Sequence, residues 1–277
     1  MGITAVSTGR MKARPLFGSA LAPAAVGLVL AIVLIVIVGS TAFADSRLAL
    51  LLGYLCVWVP LLGAVVAAVG RRGAARWVRY LRLSVRPIDL IWGLGVGLLA
   101  RTVASLIEIW GYGSVGSAGV RFGETVYDAW WLFGTLLAPV LLAPVIEEVF
   151  FRGLVLRAIY SEVSGARAPS IGKFHDRPGS TPLQPDMSRM YRSHVPHGRT
   201  GGHLAAMIAV GVSGLTFALM HLVSIDLGSA ATVAVVWSST LSFGLAVAWL
   251  SLATGRIGGA IIAHVTFNAL AIVPALL

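Results

Sequence analysis

The chain reads as an all-α polytopic membrane protein, a bundle of about seven transmembrane helices, and three observations predict it. Hydrophobic residues make up 57% of its 277 residues and charged residues only 12%, where a soluble domain carries about a quarter charged. Apolar runs of about 20 residues, the length that crosses the hydrocarbon core, recur along the whole sequence. The formal charge of +10 is gathered in the segments between those runs. That is the topogenic pattern of a membrane protein and not the basic face of a nucleic-acid-binding one. Cys56 is the one cysteine and lies in an apolar run, so no disulfide framework exists.

The runs fall at residues 17–43, 48–70, 88–110, 130–160, 203–222, 230–253 and 257–277. The first also resembles a secretory signal, with basic residues ahead of it and Ala42-Phe43-Ala44 before Asp45. Its apolar stretch exceeds a normal signal core, so an uncleaved helix is expected. Interior prolines (Pro23, Pro60, Pro139, Pro144) are tolerated where neighbouring helices satisfy the freed backbone groups. In the third run Arg101 and Glu108 lie two turns apart on one face and are expected to pair within the bundle. Residues 165–202, rich in Pro, Gly, Ser, Arg and His without apolar periodicity, predict a flexible cytoplasmic insert. His194 and His197 within it read as a solvated pair, not as metal ligands. No internal repeat marks a transporter built from two halves.

Orientation follows from the loop cations. Arg10, Lys12 and Arg14 precede the first run. Arg71, Arg72, Arg76, Arg79, Arg82 and Arg86 join the second to the third, and Arg157, Arg167, Lys173, Arg177, Arg189, Arg192 and Arg199 the fourth to the fifth. The other side has Arg47 and Arg121, beside Asp45, Glu124, Asp128 and Asp226. A cytoplasmic N-terminus and an external C-terminus are expected, with Arg256 inside and residues 1–277 forming one transmembrane domain in the cell membrane.

A charge at the bilayer centre costs about 2.5–3.5 kcal/mol on insertion scales, so each ionisable residue in a span needs a reason. The fourth run holds Glu147, Glu148 and Arg152. Glu148 and Arg152, four apart, can pair along one helix face. Glu147 points about 100° away without a partner at helical spacing. An unpaired carboxylate in a dry site can act as a general base. Phe217 and His221 in the fifth run, like His264 and Asn268 in the seventh, are four apart and share a face. A lone apolar-helix histidine is usually a hydrogen-bonded core residue. Two of them with an Asn and a Glu pair offer a base, hydrogen-bond donors for an oxyanion, and metal ligands. His264 lies about 10 Å inside its helix, whereas His221 lies near the far end of its own. The two meet only if the fifth helix begins above the membrane surface or is tilted.

Glu147-Glu148-x-x-x-Arg152, Phe217-x-x-x-His221 and His264-x-x-x-Asn268, in that order and each on a predicted span, resemble the three-motif signature of the CPBP family. These are the CAAX-processing and bacteriocin-immunity intramembrane proteases, also called the Abi family. The resemblance covers residues 130–277. It implies an endopeptidase, similar to type II CAAX prenyl endopeptidases, that cleaves a membrane-associated peptide or protein, prenylated for some members. By that likeness Glu147 activates the attacking water and His221 helps to hold it. His264 and Asn268 would stabilise the oxyanion, Glu148 and Arg152 would brace the helix, and Phe217 would support the fold. Members are commonly labelled metalloproteases, which would make Glu147, His221 and His264 ligands of one zinc ion. The sequence has no His-Glu-x-x-His and leaves zinc and a bare water equally open. The insert at 165–202 departs from the short turn usual in the family.

Two rival readings stand beside this one. Gly211-Val212-Ser213-Gly214 resembles the nucleophile motif of rhomboid serine proteases, with Ser213 and His264 as a dyad. Small residues of this kind also serve close helix packing, and the Glu pair would then have no role. Alternatively, a proton-coupled transporter or a non-catalytic immunity or scaffold protein would carry the same Glu and His residues, in the transporter as a proton relay.

Overall fold

The computed structural model describes residues 20–41, 46–70, 74–115, 128–164, 201–223, 225 and 227–276. The basic N-terminus, residues 42–45, Arg71, Arg72, Arg121, Glu124, Asp226 and positions 165–200 of the insert, with His194 and His197, lie outside the described residues. Among the described residues the chain is all-helical. In order they are α1 (Leu21–Gly39), α2 (Ser46–Val69), α3 (Ala74–Tyr80), α4 (Pro87–Tyr112), α5 (Ala129–Val163), α6 (Gly201–Leu222), α7 (Ala230–Thr254) and α8 (Gly258–Ile272). A 3-10 turn, Val273–Leu276, follows α8.

Six helices, α1, α2 and α4 to α7, are long and apolar enough to cross a membrane. The seventh expected span, α8, has only 15 residues, about 22 Å of helix against a core about 30 Å thick. Sequence boundaries move by a few residues elsewhere, and α3 was not anticipated. Residues 201–202, assigned from sequence to the insert, begin α6 instead.

Local chemistry sets the helix ends. Pro87 occupies the first turn of α4, where its missing N–H costs nothing, and the Asp89 carboxylate accepts from Arg86 N–H at 2.8 Å. Helix α4 stops at Gly113 and α7 at Gly255, with φ of 78° and 71°, a left-handed region that favours glycine. Helix α5 is α-helical only in part: wide turns with i→i+5 hydrogen bonds cover Leu132–Leu142 and Val149–Val155, flanking a short α segment at Ala143–Glu148. Pro139 and Pro144 account for the first wide stretch, because each removes an N–H and pushes its ring against the preceding turn.

Small residues bring the chemistry-bearing helices together. A Cβ at Gly97 would lie 2.7 Å from the Ala263 carbonyl, so α4 presses on the backbone of α8 next to His264. A Cβ at Gly244 would lie 3.2 Å from Gly214 Cα, which sets the approach of α7 to α6. Arg101 and Glu108 pair at 2.8 Å, as their spacing predicts, and the Arg101 guanidinium sits 5.8 Å from the Phe267 ring centre.

Polar ties close the two ends of the bundle. At one end Arg256, in the α7–α8 turn, donates to Asp89 through Nε (3.0 Å) and Nη2, and Ile257 N–H donates to the Arg82 carbonyl. At the other end Arg47 pairs with Asp128 at 2.9 Å. The first tie is buried at Asp89 and the second is largely exposed. Only the first is therefore costly to break. Arg256→Ala is expected to destabilise the detergent-solubilised protein by about 3 kcal/mol, because it strands the Asp89 carboxylate. Asp89→Asn in the same chain should recover part of that loss in a thermal-melt assay.

Candidate active site

The short α segment of α5, α6 near its far end and the first half of α8 carry the site. Glu147 leaves α5 immediately after the proline-containing stretch. Its Oε2 lies 3.9 Å from Nε2 of His221 and 3.9 Å from Nε2 of His264. These gaps exceed a hydrogen bond, and Oε2 is buried without a hydrogen-bond partner. The two histidines meet despite their different places along their helices. His264 lies about 9 Å along α8 from Gly258, while His221 is the penultimate residue of α6, yet both reach the same carboxylate.

The orientation of each imidazole follows from its other nitrogen. His221 Nδ1 lies 2.9 Å from the Phe217 carbonyl. A carbonyl only accepts, so Nδ1 carries the proton and Nε2 presents a lone pair to Glu147. His264 Nδ1 lies 2.8 Å from Glu148 Oε1. The same Glu148 oxygen is 3.0 Å from Arg152 Nη1, and both Glu148 and Arg152 side chains are fully buried. Paired with Arg152, Glu148 is an acceptor, so His264 too holds its proton on Nδ1 and turns Nε2 toward Glu147. Arg152 is held in turn by the Gly244 carbonyl at 3.2 Å and lies 4.4 Å from the Phe217 ring centre.

Phe217 is the floor of this arrangement. Its ring centre is 4.3 Å from that of His221, 5.6 Å from His264, 5.3 Å from Phe151 and 5.8 Å from Phe243. Asn268, one turn beyond His264, points elsewhere: its Nδ2 donates to the Pro139 carbonyl at 2.8 Å. Ser213 is fully buried and donates to the Phe151 carbonyl at 3.1 Å. Its hydroxyl proton goes to that backbone oxygen and not to His264. The structure thus gathers Glu147, His221 and His264, ties Glu148, Arg152 and Phe217 directly to them, and leaves Asn268 on a backbone group of α5.

A donor or a cation between them, such as a water or a metal ion, would satisfy three acceptor atoms that face one another. The donor types, one carboxylate and two Nε2 atoms with their Nδ1 atoms fixed by a carboxylate and a carbonyl, are those of a zinc site. The spacing does not close on one: among the described residues no group of three or more His, Cys, Asp or Glu side chains is arranged to hold a metal ion. Exposure falls from His221, whose side chain is 31% accessible, through Glu147 at 15% to His264 at 3%. The site opens on the His221 side.

Truncating the floor should cost stability more than chemistry. Phe217→Ala is expected to destabilise the fold by about 3–5 kcal/mol, and Phe217→Leu by clearly less, in denaturation of the detergent-solubilised protein. Equal stability of the Ala variant and the parent would refute the packing role given to this ring.

A family model described as Type II CAAX prenyl endopeptidase Rce1-like matches residues 129–270. No curated protein and no solved structure matches the chain. The matched region spans α5 through most of α8 and contains Glu147, Glu148, Arg152, Phe217, His221, His264 and Asn268. Because it covers just over half of the sequence and the whole of the convergent site, the chain belongs to the Rce1-like type II CAAX prenyl endopeptidase family.

Proposed function

We propose that the protein is an intramembrane endopeptidase that cleaves a membrane-associated peptide or protein with a water activated by Glu147. The observation that carries this reading is the convergence of two imidazole Nε2 atoms on Glu147 Oε2, a buried oxygen without a hydrogen-bond partner on a half-buried side chain. A water in that space donates one proton to Glu147 and is steadied by His221. Its oxygen adds to the scissile carbonyl carbon as the proton passes to Glu147, and Glu147 then delivers that proton to the leaving amine. When His264 is protonated its Nε2 becomes a donor toward the oxyanion, and Glu148 beside Nδ1 stabilises the imidazolium as an orienting carboxylate does in hydrolytic triads.

The substrate reaches the site from the more open His221 side. A prenylated C-terminal segment fits a membrane-embedded endopeptidase of this family, because its lipid would hold the peptide at the bilayer. The N-terminus is assigned to the cytoplasm. In that topology the α3–α4 connection and the α7–α8 turn share the cytoplasmic side, in keeping with the contact of Arg256 with Asp89.

The test is cleavage of a prenylated CAAX peptide by purified parent and Glu147→Gln proteins, with metal content measured on both. The Gln variant is expected to retain its fold and lose at least about 100-fold in kcat. Undiminished cleavage would refute Glu147 as the base. Stoichiometric zinc, with loss of activity on chelation, would make the protein a metallopeptidase; cleavage by metal-free protein would leave a glutamate-activated water. Substrate-coupled proton flux in liposomes without cleavage would favour a transporter.

A further inference from the structure

The two prolines of α5 leave two backbone carbonyls without partners inside the helix, and in each case a side chain from another helix donates to that carbonyl. In the i→i+5 pattern of Leu132–Leu142 the Gly134 carbonyl should receive the N–H of residue 139, which is Pro139 and has none. The Tyr54 hydroxyl of α2 donates to it instead, at 2.9 Å. The Pro139 carbonyl should receive the N–H of residue 144, which is Pro144 and has none. The neighbouring N–H of Ala143 is directed to Ala138 instead. Asn268 Nδ2 of α8 donates to the Pro139 carbonyl, at 2.8 Å. An unpaired carbonyl in hydrocarbon costs several kcal/mol, so neither contact is incidental.

From this geometry we propose that Tyr54 and Asn268 are positioning residues which replace the two hydrogen bonds removed by Pro139 and Pro144. Asn268 thereby locks the helix break that aims Glu147, and acts on the reaction through Glu147. The break lies one turn before Glu147, and the donor comes from the helix that carries His264. A single amide therefore fixes the glutamate-bearing helix relative to the histidine-bearing one. Tyr54 does the same for α5 against α2, where its ring also stacks on Trp58 at 4.9 Å and meets Phe133 at 5.9 Å. The kinetic part of this proposal rests on the endopeptidase reading; the hydrogen-bond replacement does not.

The proposal makes Asn268 dependent on Pro144, a coupling that direct donation to an oxyanion would not produce. The experiment is a double-mutant cycle on the full chain in detergent, with Asn268→Ala, Asn268→Asp, Pro144→Ala and the Asn268→Ala/Pro144→Ala pair. Melting temperature and, on a prenylated CAAX peptide, kcat and KM are measured. Asn268→Ala and the near-isosteric Asn268→Asp, whose carboxylate cannot donate, should each melt about 2–4 °C lower. Both should lose roughly 10–100-fold in kcat at nearly constant KM. An N–H at position 144 pairs with the Pro139 carbonyl directly, so adding Pro144→Ala should restore at least half of both losses. Tyr54→Phe and Pro139→Ala should show the same compensation in melting temperature. Additive losses in the Asn268/Pro144 cycle, or full stability in Asn268→Asp, would overturn the proposal. If Pro144→Ala is itself inactive, or if the parent cleaves no CAAX peptide, the melting-temperature cycle alone decides. The second case counts against the peptidase reading and not against the replaced hydrogen bond.

Discussion

The site depends on one buried oxygen. Oε1 of Glu148 forms an ion pair with Arg152 Nη1 at 3.0 Å and lies 2.8 Å from His264 Nδ1, with all three side chains nearly or fully removed from solvent. Three helices converge on it: α5 supplies Glu148 and Arg152, α8 supplies His264, and α7 offers the Gly244 carbonyl to Arg152. A charge so deep in an apolar bundle is tolerable only when paired and hydrogen-bonded. The arrangement pairs the two charges and gives each one hydrogen bond, Glu148 with His264 and Arg152 with the Gly244 carbonyl, while Glu148 Oε2 and the Arg152 Nε and Nη1 atoms have none. The Glu148 contact also decides which nitrogen of His264 faces Glu147. Structural necessity and chemical orientation are here one interaction.

Glu147 is treated differently from its neighbour. Adjacent positions on a helix point about 100° apart, so Glu148 turns toward Arg152 and Glu147 toward the two imidazoles. One glutamate is paired with a guanidinium and the other turns its Oε2 toward two imidazole Nε2 atoms. The second is the group left able to take a proton from a water. The two prolines add a constraint of their own, since the wide-turn stretch that contains Pro139 leads directly into the segment bearing Glu147, and Tyr54 and Asn268 donate to its carbonyls from α2 and α8. Helix α8, too short to span the core fully, is held at its middle by Gly97 of α4 pressing on its backbone and just before its start by Arg256 gripping Asp89.

Interactions within a helix were legible in the sequence, and those between helices were not. The pairs Glu148–Arg152 and Arg101–Glu108 follow from helical spacing, and so does the shared face of Phe217 and His221. The all-helical membrane architecture followed from apolar runs and loop cations. Spacing could not show that Glu148 reaches His264, 116 residues away, or that Asp89 reaches Arg256, 167 residues away. Asp89 sits at a helix start where a capping role is sufficient explanation, so nothing in its neighbourhood marks it as half of a cross-link. The role of Asn268 was obscured for a related reason: its position one turn from His264 suggests shared chemistry, whereas its partner is a carbonyl that only the wide-turn register of α5 leaves open. The pair Pro139 and Pro144, five residues apart, was the available signal.

The claim that both imidazoles turn unprotonated Nε2 atoms toward Glu147 can be read directly from the protons they carry. Nitrogen NMR of 15N-histidine-labelled protein, with signals assigned by single His221→Gln and His264→Gln variants, reports which ring nitrogen is protonated. The account requires both residues to carry the proton on Nδ1 in the resting protein, and His264 to lose that preference in Glu148→Ala. A proton on Nε2 of either histidine in the parent protein would contradict it, because Glu147 would then face a hydrogen-bond donor and the space between them would not be built for a water or a cation.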